Sequence, residues 1–268
     1  MKRILKIIII TFFIPITILI KIISPIIRIR WCKNYFPDRI GHIVAEMEQY
    51  LYLTKDKSKF IIDVFPNKTF DNSNPSNIFL HKHYAKKIFL INEKVIFFLQ
   101  KSQDILEKYF RFLKFENIDY LFSTRDNFKI FKKNFSPSIS FSRQEIKTIK
   151  ETLNKIGLKK KQKFICLIVR DGKYLKKKLA NMDTSYHSYR DSNVQEFMPS
   201  IKYLLKKNYF ILRMGKLQSK KLNLKHKNFS DYAFSKFRSD LMDVWLMANC
   251  EFCISTGTGL DQISRVFN

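Results

Sequence analysis

The sequence is short of acidic residues, glycine, proline and cysteine, and these shortages limit what the protein can be. Its 268 residues include 23 Asp and Glu against 50 Lys and Arg, which gives a formal net charge of +27. That charge favours anionic partners such as nucleic acid, acidic lipid headgroups or a phosphorylated substrate. Abundant Lys, Ile, Asn and Phe beside few glycines have a second explanation, because an AT-rich genome makes chains rich in lysine without functional pressure.

The basic residues are scattered in short runs and form no single arm, which argues against a nucleic-acid-binding tail. The sequence also offers no aromatic and basic motif of a known nucleic-acid-binding type. We therefore expect no nucleic-acid partner. The length suffices for one large or two smaller α/β domains, and two domains are preferred.

The four cysteines predict neither a disulfide framework nor a zinc site. Cys250 and Cys253 make a CxxC motif, but both fall on a predicted strand, where residues three apart point to opposite faces. No second CxxC or HxxxH pair follows them. All four, Cys32 and Cys166 included, are interpreted as buried thiols in a reducing compartment.

Residues 1–30 are predicted to be a membrane anchor. From Ile4 to Ile29 the chain is almost purely apolar, broken by Lys6 and Lys21, with Pro15 and Pro25 inside it, and 14 residues separate the two lysines. A spanning helix needs about 20 apolar residues. Basic residues on both flanks and the prolines favour a hairpin-like anchor with both ends at the cytoplasmic face of the inner membrane. A single signal-anchor helix and a buried core helix are the alternatives, and the lack of a small-x-small cleavage pattern disfavours a signal peptide.

The rest of the chain is predicted to form two Rossmann-like α/β halves with parallel sheets, over residues 31–140 and 141–268. Residues Phe128–Ser142 have the composition of a linker. The first half is predicted to hold a helix after Gly41, a strand at Lys59–Phe65, a loop at Pro66–Asn77, a strand at Ile88–Ile91 and helices at Val95–Leu99 and Asp104–Leu113.

The second half alternates helices with short apolar runs, which is the order of a parallel sheet. Its first helix should begin after Ser142, since Glu145 gives the spacing of a capping box. The predicted elements are helix Ser142–Ile156, strand Phe164–Val169, helix Val194–Lys207, strand Tyr209–Met214, strand Phe229–Tyr232, helix Arg238–Ala248 and strand Cys250–Ile254.

Polar residues follow the predicted strands of this half, where parallel sheets bind their ligands. They are Arg170 and Asp171, Arg213 and Gly215, Asp231 and Tyr232, and the loop Ser255-Thr256-Gly257-Thr258-Gly259 (STGTG). Glycines let a backbone approach a ligand and hydroxyls donate hydrogen bonds, so this loop is predicted to hold a diphosphate. The alternative is an ordinary strand-to-helix turn in which Ser and Thr act as caps. Arginines at the same rim favour the site for a nucleoside diphosphate.

Three runs carry a resemblance to a known family: LIVRDGKYLKKK, SYHSYRDSNVQEFMPSIKYLLKKNYFILRMGK and DYAFSKFRSDLMDVWLMANCEFCISTGTGLDQIS. They resemble a family of bacterial glycosyltransferases found with surface-polysaccharide genes and, more distantly, the fucosyltransferases of the GT-B fold. The resemblance covers Phe164–Ser264, and RIGHIVAEMEQYL is a second, separate match. It implies a GT-B fold in which the C-terminal half holds a nucleotide-sugar and the N-terminal half holds the acceptor. It also implies that the second domain continues beyond Asn268.

The resemblance implies roles for individual residues. Arg170 matches the arginine that contacts the donor phosphates in fucosyltransferases, and Ser255, Thr256, Thr258 and Gly259 match their phosphate loop. Further family positions without an assigned role are matched by Tyr189, Arg190, Asp191 and Arg238. Proteins of this fold usually use no metal, and the sequence has no Asp-x-Asp motif. No cofactor is therefore expected beside the nucleotide-sugar as co-substrate.

The predicted function is transfer of a hexosyl or deoxyhexosyl group from a nucleotide-diphosphate sugar to a glycan or lipid-linked acceptor. Arg170, with Arg213 or Arg238 and the STGTG amides, is expected to stabilise the leaving diphosphate. His42 and Glu46, one helical turn apart, are candidates for the base, although a helix-cap or packing role also suits His42. The alternative is a membrane-attached protein that binds a nucleotide-sugar or glycan without chemistry.

Overall fold

The computed structural model describes residues 2–32, 35–67, 75–116, 118, 131, 135–178, 183 and 185–267. The chain divides into two compact units, residues 1–130 and 131–268, close to the predicted boundary at residue 140. Each unit contains a parallel sheet with helices, and an apolar helix begins the first. The predicted α/β class with parallel sheets is therefore confirmed, and it is compatible with a Rossmann-like fold.

The first unit has a three-stranded parallel sheet in the order β1-β2-β3. Its elements are α1 Lys2–Ile23, β1 Arg28–Trp31, α2 Ile40–Leu53, β2 Ile61–Asn67, α3 Ile78–Ala85, β3 Phe89–Asn92 and α4 Glu93–Tyr109. β1 begins inside the range assigned to the anchor, and α4 replaces the two helices predicted between Val95 and Leu113. The sequence gives no signal for α3, because its apolar residues do not gather on one face. Part of the predicted loop Pro66–Asn77 lies outside the described residues.

α1 is one continuous helix, so the predicted break at proline is wrong. Pro15 lies inside the helix and Pro25 follows its end. A proline in a helix interior removes a backbone hydrogen bond and costs about 3 kcal/mol. Phe13 and Thr17, on either side of Pro15, both contact α4, and these contacts stabilise the helix through the proline.

A buried carboxylate connects β1, β2 and α2 in the first unit. Asp63 accepts two hydrogen bonds from Arg30, at 2.7 and 3.0 Å, one from Lys57 at 2.8 Å and one from Tyr50 at 2.7 Å. Burial alone raises the pKa of Asp63, but the bonds from Arg30, Lys57 and Tyr50 outweigh burial and hold its pKa below the ordinary value. The ionised carboxylate therefore contributes to the stability of this unit.

The second unit has a four-stranded sheet that is parallel, as the alternating pattern predicts, and its strand order is β6-β5-β4-β7. Its first helix begins after Ser142 and carries the predicted capping box with Glu145. The elements are α5 Arg143–Lys155, β4 Phe164–Ile168, α6 Lys173–Lys178, α7 Met198–Lys206, β5 Phe210–Arg213, β6 Phe229–Ser230, α8 Asp240–Asn249, β7 Cys253–Ser255 and α9 Asp261–Phe267.

β4 is covered on both faces, which explains its all-apolar sequence. Ile165 and Leu167 pack on one face against Ile201 of α7 and other buried residues. On the other face the Phe164 ring stacks on Trp245 of α8, with centroids 6.1 Å apart. This two-sided packing fixes the position of the residues that follow β4.

Several predicted element boundaries in this unit differ from the structure. β7 begins at Cys253, so the predicted strand from Cys250 is too long, and Cys250 caps α8 instead. The first turn of the predicted helix Val194–Lys207 is a 3₁₀ helix.

Cys32, Cys166 and Cys250 are buried as predicted, while Cys253 is partly exposed. Part of the predicted linker Phe128–Ser142 lies outside the described residues.

Candidate functional site

The carboxyl ends of β4 and β7 lie side by side in the second unit, with Ile168 opposite Ser255. The contact continues past both strands. The backbone N–H of Arg170 donates to Oγ1 of Thr256 over 3.1 Å, and the N–H of Thr256 donates to the carbonyl of Ile168 over 3.2 Å. The structure thus brings Arg170 and the STGTG loop together at one edge of the sheet, as the strand order requires.

A short 3₁₀ helix, Ser185–Arg190, and the residues after it supply two more charged groups at this edge. Oδ1 of Asp191 lies 3.0 Å from Nε of Arg170, and the N–H of Ser192 donates to the Arg170 carbonyl over 2.8 Å. Nη1 of Arg190 donates to the carbonyl of Gly257 over 3.2 Å. We call Arg170, Arg190, Asp191, Thr256 and Gly257 the arginine site.

The two arginines of this site influence each other. Burial and the positive charge of Arg190 lower the pKa of Arg170, against the opposing effect of Asp191. Arginine nevertheless stays protonated in proteins. The side chain of Arg170 is 12% exposed and that of Asp191 is 30% exposed, so solvent reaches the ion pair. An anion that entered here would lie near two arginines and the Asp191 carboxylate, which leaves one positive charge in excess.

Two glycines allow the close packing of the arginine site. Gly172 has φ +72°, and a Cβ there would lie 2.6 Å from Oδ2 of Asp191. Gly257 has φ +84°, and a Cβ there would lie 3.4 Å from Cδ of Arg190. Gly172 needs both a left-handed backbone and a missing side chain, so glycine is required there for the ion pair, while at Gly257 the left-handed backbone is what favours glycine.

The STGTG loop uses much of its hydrogen-bonding capacity on itself. Oδ2 of Asp261 accepts from the Ser255 hydroxyl over 2.7 Å and from the N–H of Thr258 over 2.9 Å. The N–H of Gly257 donates to the Ser255 hydroxyl over 3.1 Å. These contacts match the alternative of a turn with Ser and Thr caps. Asp261 is a residue that the site prediction missed, although Thr258-x-x-Asp261 has the spacing of a cap.

Arg213 has a different environment from Arg170. Its side chain is 2% exposed, and Nη1 lies 3.1 Å from Oδ2 of Asp231. It also donates to the Lys220 carbonyl over 2.7 Å and to Oε1 of Gln218 over 3.2 Å. The same Gln218 packs against Gly215, whose φ is +146°. Arg213 and Gly215, both predicted to face the donor, hold the chain after β5 in place.

Arg238 and Asp171 also form contacts within the protein. Nη2 of Arg238 lies 2.9 Å from Oδ1 of Asp240 and also contacts Asp243, at the start of α8. Asp171 accepts the backbone N–H groups of Lys173 and Ser219, which connects the chain after β4 to the chain after β5. These contacts give both residues structural roles.

The candidate base lies in the first unit. His42 and Glu46 occupy successive turns of α2, and Nδ1 of His42 hydrogen-bonds to Oε1 of Glu46. Their side chains are partly exposed, and the Phe36 ring contacts the His42 ring edge-on at 5.4 Å. The predicted proximity of the two residues is present. The packing role considered for His42 is present as well.

Within the described ranges, no group of three or more His, Cys, Asp and Glu residues is arranged to hold a metal ion. Comparisons with protein-family models, with curated proteins and with solved structures find no match to this chain.

Proposed function

We propose that the second unit binds the diphosphate of a nucleotide-sugar and that the chain is a GT-B glycosyltransferase of bacterial surface-polysaccharide or glycoconjugate synthesis. The observation that carries the proposal is the approach of Arg170 and Arg190 at the ends of β4 and β7. Guanidinium groups bind phosphate oxygens through paired hydrogen bonds and keep their charge when partly buried. A diphosphate has negatively charged oxygens on two phosphate groups, so it can contact both guanidinium groups at once.

In the proposed reaction an acceptor hydroxyl oxygen forms a bond to the anomeric carbon of the donor sugar. The bond between that carbon and the diphosphate oxygen breaks, and the diphosphate leaves with the electron pair. Arg170 and Arg190 stabilise the negative charge that develops on it. The hydroxyl proton passes to a base.

The internal hydrogen bonds of the STGTG loop limit how many of its amides can bind the diphosphate directly. The amides of Gly257 and Thr258 have partners in Ser255 and Asp261, so the loop serves mainly to position the arginines. Thr256 holds the backbone of Arg170, and the Gly257 carbonyl holds Arg190. The proposal leaves Arg213 out of donor binding because its side chain is only 2% exposed beside the buried Asp231. It leaves Arg238 out because that side chain contacts two carboxylates, Asp240 and Asp243, whereas Arg170 pairs with Asp191.

An exposed tyrosine suits the uncharged part of a nucleotide. Tyr189 is 81% exposed, and the guanidinium carbon of Arg190 lies 5.5 Å from its ring centroid. Aromatic rings stack on nucleobases without strong preference for one base. We assign Tyr189 the base and Arg190 the neighbouring phosphate.

His42 is assigned the role of general base in the first unit, where the GT-B organisation puts the acceptor. Glu46 is its hydrogen-bond partner on α2. When a carboxylate accepts the Nδ1 proton of a histidine, Nε2 keeps its lone pair for proton transfer. The acceptor is proposed to be a glycan or a lipid-linked sugar.

The proposal is tested by incubating the full chain with a panel of nucleotide-sugars and lipid-linked acceptors, with products read by mass spectrometry. We expect release of nucleoside diphosphate together with a glycosylated acceptor. His42→Ala should lower kcat and leave donor affinity unchanged, while Arg143→Gln, an exposed arginine of the same charge, should change neither. Donor binding without turnover would support the binding-protein alternative, and absence of donor binding would contradict both.

A further inference from the structure

One exposed face of α1 is apolar from Ile4 to Ile22. Large side chains recur every three or four residues, which is the helical period, and each is 36–67% exposed. They are Ile4, Ile8, Phe12, Ile16, Leu19 and Ile22. The segment Ile4–Ile23 has a mean hydropathy of 2.4, and only 6% of it is buried, unlike the core helix of a soluble domain. Apolar surface of this extent marks an interaction site.

The opposite face of α1 packs along α4. Phe13 stacks on Phe98 with centroids 5.6 Å apart, and the Thr17 hydroxyl donates to that of Ser102 over 3.1 Å. The second pair lies four residues after the first on both helices, so the two helices run side by side in the same direction. Ile20 packs further along against the core of the first unit.

α4 carries charged side chains that a bilayer interior does not accept. Lys101 and Asp104 form a 3.1 Å ion pair with both side chains nearly half exposed. A crossing α1 that kept its contacts would take α4 and this pair into hydrocarbon, which costs several kcal/mol. The contacts with α4 therefore favour a helix that lies parallel to the membrane surface.

The end of α1 lies at the amino edge of the sheet of the first unit, where further aromatic side chains are exposed. The N–H of Arg28 donates to the carbonyl of Phe60 over 2.8 Å, so the starts of β1 and β2 lie together. α4 begins directly after β3 and returns to this edge, where Tyr109 and Phe112 are strongly exposed. Lys21 of α1 hydrogen-bonds to the carbonyl of Lys114, which brings the end of α1 to the same place.

Basic and aromatic side chains alternate at this edge. Nζ of Lys59 lies 5.4 Å from the Phe60 ring centroid, and Nζ of Lys108 lies 5.6 Å from that of Tyr109. Arg111 is adjacent to Phe112. Aromatic rings at the headgroup level beside lysine and arginine are characteristic of surfaces that bind anionic bilayers.

From this juxtaposition we infer that α1 lies in the plane of an anionic lipid bilayer, with its free face and the amino edge of the first sheet in the headgroup region. The inference is independent of the proposed glycosyltransferase activity. Charge complementarity selects lipid as the occupant, since the edge is cationic and the leaflet is anionic.

Binding is tested by floating the full chain with vesicles of phosphatidylcholine alone or with phosphatidylglycerol added. We expect binding to both and stronger binding to the anionic vesicles at low salt. Phe12→Glu and Leu19→Glu should each weaken binding by roughly ten-fold or more, because each replaces a large apolar contact with a charge. Tyr203→Glu, at a 60% exposed tyrosine of α7, is the matched control and should leave binding unchanged.

Orientation is tested with single cysteines in place of Lys6 and Ser24 near the two ends of α1, on the vesicle-bound protein. A membrane-impermeant maleimide added outside should label both positions if α1 lies in the plane. Labelling of one end alone would show a spanning helix and overturn the inference. A lipid-independent dimer that Phe12→Glu dissociates, without vesicle binding, would also overturn it by showing a second copy as the occupant.

Discussion

Arg170 and Asp191 form a 3.0 Å ion pair between the end of β4 and the chain that follows the 3₁₀ helix. The pair orients the guanidinium group, and the nearby Arg190 shares the same small region of the surface. A phosphate therefore binds to an arginine side chain that is already held in position. Less side-chain conformational entropy is lost on binding as a result.

The first prediction concerns the glycine beneath this ion pair. Gly172→Ala should displace Asp191, because the new Cβ would lie 2.6 Å from its carboxylate. Gly157→Ala is the matched control, since Gly157 has φ +86° but its Cβ would lie 3.9 Å from the nearest atom. Both changes carry the backbone strain of about 1–2 kcal/mol. Urea unfolding should therefore show a larger loss for Gly172→Ala, and equal losses would contradict the close packing.

The second prediction separates the base from the phosphates. Tyr189→Ala should lower the affinity for nucleoside diphosphates by roughly ten-fold or more, as expected for a lost stacking contact of about 1–3 kcal/mol. Affinity for inorganic pyrophosphate should not change. Tyr186→Ala, at another exposed tyrosine of the same 3₁₀ helix, is the control. Titration calorimetry makes the comparison, and a similar loss for pyrophosphate would remove Tyr189 from base stacking.

The third prediction concerns Arg213 and Asp231. Arg213→Met should destabilise the second unit by about 3–5 kcal/mol, because it leaves the buried Asp231 carboxylate without its ion-pair partner. The double change with Asp231→Leu should recover part of that loss, since two apolar side chains leave no buried charge. Denaturant unfolding measures both. A stable Arg213→Met protein with weakened donor binding would restore Arg213 to the donor site.

The fourth prediction concerns acid stability of the first unit. The pKa of Asp63 is held below the ordinary value of about 3.9, so its contribution is complete above that pH and is lost as the pH falls through the lowered pKa. In this range the unfolded state binds more protons than the folded state, and stability falls with falling pH. Asp63→Asn should reduce this pH dependence, while Asp56→Asn, at an exposed carboxylate, should preserve it. Equal pH dependence in all three proteins would contradict the assignment.

Much of the second sheet was predictable because its signals are local. The capping box of Ser142 and Glu145 and the apolar run of β4 depend on neighbouring residues in the sequence. A parallel sheet also predicts that Arg170 and the STGTG loop share one rim, because both follow strands, but that β4 and β7 are neighbours is shown by the structure. The helical path through Pro15 was not predictable, because it depends on contacts with α4, more than 80 residues later in the sequence.

The difference between Arg170 and Arg213 could not be read from the sequence. Both arginines lie at the end of a buried strand. Arg213 forms an ion pair with Asp231, which follows the adjacent strand β6, and both side chains are almost fully buried. Arg170 has the more exposed Asp191 and a second arginine nearby. The burial of the carboxylate partner, 4% exposed for Asp231 and 30% exposed for Asp191, distinguishes the two arginines, and it depends on packing in the folded chain.

The most direct test of the donor site is titration calorimetry of the full chain with nucleoside diphosphates. We compare the unchanged protein with Arg170→Ala and with Arg143→Ala, at an exposed arginine of the same unit. The proposal predicts that Arg170→Ala lowers affinity by roughly 10- to 100-fold, as expected for a lost charged hydrogen bond, and that Arg143→Ala does not. Unchanged affinity in a folded Arg170→Ala protein would contradict the proposal that Arg170 binds the donor diphosphate.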